Sequence, residues 1–445
     1  MKDEKCKNLI ILFLGLIFVY SCLRSCFLSI THDEAITVLY HSQHSFWDIV
    51  YYNTPILSNN HLLNTLLVKL SIALFGFNEL AVRVPALLGH LLYLTGIYQL
   101  IKFVYRKSDV FFGIPIIFLV ANPFVLDFFS LARGYSLALG FSAWGIFYFF
   151  KWKDNAEPRM KLKCIFLSSI YLFLSVLSNL SFLNIYLAVL LLAVILKLRD
   201  LSKVDYTFKG FLAEISANLF LPITPSVILL LTTLIIPIKK LIQANELYFG
   251  GTHGFWQDTV RSLVSASLYG NNYGLDNLNL IIEIIIIIFL IGGVAVMCIP
   301  FIQKKKIGDN NFILWFSLMM IAYLSIEVQH ALLGTKYVIE RAAIYFIYIY
   351  YIFIALFFEK LKELIKNIFI VKIINYLFFT IVVVVFIHSV KTVNFFQTYE
   401  WKYDSNTNKV MQEIDVLVNQ RKNEVTIGAD WEFEPSLNFY KIKYN

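Results

Sequence analysis

The feature that most constrains this chain is a series of apolar stretches that recurs from Leu9 to Val390, with only short polar breaks between them. Stretches of about 20 residues match the hydrocarbon thickness of a bilayer, and a helix is the form in which such a segment satisfies its own backbone hydrogen bonds in lipid. No soluble core could absorb so much apolar surface. The composition agrees, with 58% hydrophobic and 15% charged residues, against about 25% charged in soluble domains. Expected spans lie near 9–30, 80–101, 110–130, 132–150, 164–178, 182–196, 211–238, 278–302, 312–328, 342–358 and 368–390. The expected fold class is an all-α polytopic membrane protein with about 11 transmembrane helices. The apolar run continues past Cys22 to Ile30, and Asp3 and Glu4 stand before it, so it reads as a retained span rather than a cleaved leader.

A formal net charge of +8 would suit nucleic acid, but the position of the charges argues otherwise. Lys and Arg gather in alternate short breaks: the start MKDEKCK, then 102–109, 151–163, 197–209, 303–309 and 358–372. Together these hold 22 of the 38 Lys and Arg. That asymmetry is the positive-inside pattern, so a multi-pass protein of the inner (cell) membrane is expected, with a cytoplasmic N-terminus and a periplasmic or extracellular C-terminus. The outer segments are then 31–79, 239–277, 329–341 and the tail, dividing the chain into a membrane domain 1–390 and a small outer segment 391–445. The five cysteines fall in spans or on the inner side, so no disulfide framework is expected.

The first outer segment has helical apolar spacing on both sides of an Asn/Pro/Ser break, as for two interfacial helices. The second mixes Gly, Asn and aromatics as a long functional loop does. In the tail, 406–420 reads as a polar helix, while EVTIGADW and SLNFYKI read as strands. A small α/β-like appendage is expected there.

Chemistry is expected on the outer face. Asp33 and Glu34 directly follow the first span, where adjacent acids are costly unless solvated or used. One reading makes them a base and its partner; the other makes them the favourably charged first turn of a helix capped by Thr31. His32, His41, His44 and His61 share this segment and His253 lies in the second, so a divalent cation is conceivable, although no HExxH-type spacing is present. The outer cations Arg83, Arg133, Lys239, Lys240, Arg261, Lys336 and Arg341 would suit a phosphate headgroup. Arg133 has a plainer reading as a salt bridge to Asp127 or Glu34.

The order of motifs is a further guide. An Asp-Glu pair after the first span, then NNHLLNTLLVKLSIALFGFNELAVRVPALLG, NPFVLDFFSLARGYSLAL, GFWQDTVRSLVSASLYG, KYVIERAAIYFIYIYYIFIAL and WKYDSNTNKVMQEIDVLV, resembles the GT-C glycosyltransferases of family 39 type. That superfamily includes protein O-mannosyltransferases and lipid A aminoarabinose transferase. The resemblance implies a polyprenyl-phosphate sugar donor, a lipid, glycan or protein acceptor, and contact with membrane lipid but not nucleic acid. It makes Asp33 the catalytic carboxylate and Glu34 its partner. Arg133 and Tyr135 match the family's Arg-x-Tyr pattern for the donor phosphate. His61, or Asn60 if the register slips, matches the family's His-Pro-Pro-Leu motif, with Leu62 and Leu63 in place of the prolines. Arg341 matches loosely, since Ala342 follows where an aromatic is usual. A secondary transporter or flippase would instead place its charges at the bilayer midplane in repeated halves. A lipid-glycan polymerase would concentrate its arginines in one large outer loop.

Overall fold

The computed structural model describes residues 2–105, 113–203, 207–302, 310–365, 367–421 and 426–444. Part of the basic asymmetry, at Arg106, Lys107, Lys304, Lys305, Lys306 and Lys366, lies outside the described residues. The chain is an all-α polytopic membrane protein. Its helices are α1 (Lys2–Phe27), α2 (His32–Ile36), α3 (Phe46–Val50), α4 (Leu62–Phe75), α5 (Glu79–Tyr105), α6 (Gly113–Val120), α7 (Pro123–Phe128), α8 (Tyr135–Asp154), α9 (Pro158–Ser178), α10 (Leu183–Leu201), α11 (Phe208–Ile215), α12 (Leu221–Gln243), α13 (Arg261–Ser267), α14 (Leu278–Ile302), α15 (Asn311–Leu333), α16 (Tyr345–Leu364), α17 (Ile368–Thr392), α18 (Thr407–Arg421) and α19 (Glu434–Tyr444).

Among the described residues, eight helices are long and apolar enough to cross a membrane: Glu4–Phe27, Glu79–Tyr105, Pro158–Ser178, Leu180–Leu201, Phe208–Gln243, Leu278–Ile299, Asn311–Leu333 and Ile368–Thr392. At two further expected spans stand α8 and α16, of 20 residues each, whose side chains are largely buried by neighbouring helices. The segment expected as one span at 110–130 is instead divided. Asn122 caps α7 through its side chain, with Pro123 in the first turn, and this ends α6 at Val120.

Helix α8 is the packing centre, held between α5 and α9. Small residues make that approach possible, as they do wherever apolar helices must associate without hydrophobic drive from water. At Gly140 a Cβ would lie 2.6 Å from the carbonyl oxygen of Gly89 on α5, closer than any side chain tolerates. Serines complete the contact without leaving polar atoms in lipid. Ser136 donates to the Ala86 carbonyl at 2.5 Å and Ser175 to the Ala138 carbonyl at 2.7 Å.

The tail corrects one expectation. SLNFYKI is helical, part of α19, and the described residues contain no strand, only a single bridge between Gly251 and Tyr337. Its apolar residues fit an alternating pattern, but Phe439 and Tyr440 are neighbours and both are buried, which a strand cannot arrange on one face. Phe439 stacks on Phe77 at 4.5 Å, and the Tyr440 hydroxyl accepts the Ile30 N–H at 2.8 Å. Of EVTIGADW, residues 424–425 lie outside the described residues and 426–430 have no regular structure. The polar helix expected at 406–420 is α18. Within 31–79 the long helix α4 is present, whereas the stretch before it is the short α2 and α3 with a π-helical turn at Thr37–His41 between α2 and α3.

Candidate active site

Helix α2 sorts the two adjacent acids. The Thr31 hydroxyl accepts the Glu34 N–H while the Glu34 carboxylate takes the Thr31 N–H, a reciprocal capping box. This pins the first turn just beyond the C-terminal end of α1 and sends the two side chains different ways. Glu34 is fully buried, and the Asp33 side chain remains 14% exposed.

Glu34 is saturated. One oxygen accepts Arg83 Nε at 2.9 Å and the Ala132 N–H at 2.8 Å; the other accepts Arg83 Nη2 at 2.7 Å and the Thr31 N–H at 3.1 Å. Arg83 in turn spends its remaining N–H groups on the carbonyls of Ser25, Leu28 and Ser29, so all five of its donors are used. Burial would raise the Glu34 carboxyl, but Arg83 outweighs it and holds it below its ordinary value. The pair closes the junction of α1, α2 and α5, and the expectation that Glu34 orients an acceptor and Arg83 a phosphate finds no free group to do so.

Asp33 is different. Its Oδ2 lies 2.9 Å from Arg133 Nη2 and 3.9 Å from Arg341 Nη2, so two guanidinium groups from distant segments converge on one partly exposed carboxylate. Burial pushes its pKa up, yet Arg133, Arg341, His32 and a hydrogen bond from the Asn59 side chain together bring it below the usual range. The plainer reading of Arg133, a bridge to Asp127 or Glu34, does not hold. Asp127 pairs with Arg24 at 2.5 Å and also accepts the Tyr269 hydroxyl and the Tyr399 N–H.

The arginines are held from below and beside. Arg133 and Tyr135 flank Gly134, whose φ of +73° and whose absent Cβ, which would stand 2.2 Å from the Ser178 carbonyl oxygen, require glycine. Trp401 lies against both guanidiniums, 5.9 Å from Arg133 and 5.2 Å from Arg341, and Phe249 lies 4.5 Å from Arg341. Glu400 pairs with Arg341, and burial pushes its carboxyl up to about 7 although Arg341 opposes this. His61 stands at the start of α4 with its ring edge-on to Tyr135 at 5.5 Å. Three buried polar atoms around this point have no hydrogen-bond partner among the described residues: Arg133 Nε, His61 Nε2 and Glu400 Oε1. Such atoms are costly unless a ligand or water meets them.

The structure therefore brings together Asp33, Arg133, Arg341, Tyr135 and His61. It does not bring in the others. Asn60 is buried between Thr65 and the Ile49 carbonyl. His32 faces the tail, its Nδ1 2.7 Å from the Glu432 carbonyl oxygen. His253 is exposed beside Asp258, and Lys336 is exposed beside Gly250. Among the described residues no group of three or more His, Cys, Asp or Glu converges. A divalent cation at Asp33 would meet two guanidiniums already neutralising that carboxylate, so the donor set does not fit the cation that the histidines suggested. Sequence reasoning missed Glu400, Trp401 and Asn59. The adjacent acid and tryptophan in TYEW, just beyond the last span, were the available signal.

No family model matches the chain, and no curated protein matches it. Among solved structures, two crystal structures of ArnT from Cupriavidus metallidurans are similar. The form bound to undecaprenyl phosphate is 11% identical with a TM-score of 0.44, and the apo form is 10% identical with 0.47; each likeness covers 98% of this chain and 75% of the other. At that identity and TM-score the likeness carries no weight for the chemistry, which rests on the side chains described above.

Proposed function

We propose that this protein is an inverting glycosyltransferase that moves a sugar from a polyprenyl-phosphate donor to a hydroxyl of a lipid, glycan or protein acceptor at the outer face of the membrane. The observation that carries this reading is the partly exposed Asp33 carboxylate set between Arg133 and Arg341, just beyond the C-terminal end of α1. A polyprenyl chain can lie in the bilayer while its phosphate reaches the two guanidiniums. Asp33 takes the proton from the acceptor hydroxyl as that oxygen bonds to the anomeric carbon. The bond from that carbon to the phosphate oxygen breaks, and its electron pair leaves with the polyprenyl phosphate. The arginines stabilise the charge that develops there, which is the larger share in most such steps.

The arrangement also explains how a carboxylate held at low pKa serves as a base. A general base works best with a pKa near the working pH. Free Asp33 is held below it by the arginines; an anionic phosphate bound to them shares their charge and raises the basicity of Asp33 when donor is present. The transporter reading lacks a matching observation, since this group sits at helix ends on one side of the spans rather than in broken helices at their middle.

The test is turnover of radiolabelled polyprenyl-phosphate sugars in reconstituted membranes containing a crude acceptor pool. Wild type should release the carrier and Asp33→Asn should be slower by ~10²–10⁴-fold. Equal turnover would remove Asp33 from the chemistry; no turnover with any donor would sink the enzyme reading.

A further inference from the structure

Asn59 joins Asp33 and Arg133 to His41, although the motif it opens, NNHLL, gave it no role. Its backbone oxygen accepts Arg133 Nη1 at 3.4 Å, its side chain donates to the Asp33 carboxylate, and its Oδ1 lies 3.0 Å from His41 Nε2. The hydrogens follow from the chemistry of the end groups. An ionised carboxylate only accepts, so Asn59 presents its amide N–H to Asp33 and its oxygen to His41. His41 Nε2 must then carry a hydrogen, and Nδ1 accepts from the Thr54 hydroxyl at 3.2 Å. His41 is fully buried, and burial brings its pKa down to about 4, despite the bond to Asn59, so it is neutral at pH 7 and the order of donors is fixed.

Resting on the glycosyltransferase reading, we infer that Asn59 is a positioning residue. Held by neutral His41, it aims the Asp33 carboxylate and ties the orientation of that base to Arg133. The loop is built for this. Residues 51–61 contain no helix or strand, and Asn59 is secured from inside by His41, itself held by Thr54, while its neighbour Asn60 bonds to Thr65. A carboxylate in contact with arginines from two segments swings between them unless a third donor fixes its plane, and positioning of that kind is what brings a base within reach of its proton.

The test reads Asp33 directly as well as through turnover. The protonated-carboxyl infrared band of Asp33, identified by difference from Asp33→Asn, is titrated in the purified full-length protein, and the acid limb of kcat/KM is measured beside it. The groups facing Asp33 are Arg133, Arg341, His32 and Asn59, with Glu400 and Tyr403 nearby; those facing His41 are Asn59, Arg133, His44 and His61. The charged and titratable groups among them stay in place in the Asn59 and His41 variants. Asn59→Ala removes a donor to the ionised form, so the Asp33 midpoint should rise by about 1 pH unit and kcat/KM should fall ~10-fold, chiefly in kcat. His41→Gln keeps a donor toward Asn59 and should restore most of both; His41→Leu should shift both in the direction of Asn59→Ala. An unmoved Asp33 midpoint in Asn59→Ala overturns the inference. A moved midpoint in a protein that transfers no sugar upholds the relay and rejects the glycosyltransferase reading, so the two failures are separable.

Discussion

At the scale of single residues, three carboxylate–arginine associations near the C-terminal end of α1 look alike in sequence and differ in what surrounds them. Arg83–Glu34 is closed, with every donor and acceptor used by backbone or by the partner. Arg24–Asp127 is buried against Tyr269 and Tyr399. Only Asp33 is shared between two arginines and left partly open. Removing one member of a closed, buried pair strands the other charge, which costs about 3–5 kcal/mol. Glu34→Gln is therefore expected to lower the thermal unfolding midpoint severely, whereas Asp33→Asn leaves it within a few degrees while losing turnover. Calorimetry or a fluorescence melt in detergent checks this, and equal destabilisation by the two would erase the division between structural and chemical acids. The sequence put Asp33, Arg133, Tyr135, His61 and Arg341 on one face, and those are together. It could not separate Glu34 from Asp33, because the separation arises from a capping box whose direction depends on where Arg83 returns, 49 residues later.

At the scale of elements, spans were legible and the tail was not. Apolar runs of membrane length carry their own signal, so α1, α5, α10, α14 and α17 stand where hydropathy puts them. Helix α19 derives its form from tertiary packing on Phe77 and Ile30, which an 11-residue polar stretch does not announce. The docked tail carries a pH dependence with a definite sign. Asp404 is buried and accepts the His32 N–H at 2.7 Å and the Ser436 hydroxyl at 2.8 Å; burial pushes its pKa up to about 6 against those hydrogen bonds. A carboxyl raised in the folded state binds its proton more tightly there than in the unfolded chain. Its contribution is thus full below the ordinary value near about 4 and is lost as pH rises through about 6, on the order of 3 kcal/mol in all. Glu400, pushed up to about 7, acts in the same direction. Limited proteolysis of the tail should accelerate from pH 5 to pH 7.5, and Asp404→Asn should flatten part of that rise. A tail equally resistant at both pH values would contradict the sign.

At the scale of the whole molecule, the site belongs to no single segment. Asp33 comes from α2, just after the first span, Arg133 from the turn before α8, Arg341 from the short helical turn before α16, and Glu400 and Trp401 from the tail. Each of these lies on a different part of the chain, so long-range closure, with helix packing through α8 behind it, sets the spacing of the charges. Trp401 is where that dependence is concentrated, since one indole touches both guanidiniums and is itself buried beside Phe128 at 6.2 Å. A cation over an aromatic face gains about 0.5–2 kcal/mol. Losing two such contacts at about 0.7 kcal/mol each, in the lower part of that range, costs about 1.4 kcal/mol, a tenfold change in an equilibrium constant. If the arginines receive the donor phosphate, Trp401→Leu should weaken donor binding about 10-fold, while Trp401→Phe retains most of it. Donor affinity is measured by competition with a labelled polyprenyl-phosphate sugar in the reconstituted protein. Unchanged affinity in Trp401→Leu, with normal folding, would show that the tail closes over the site without setting its charges.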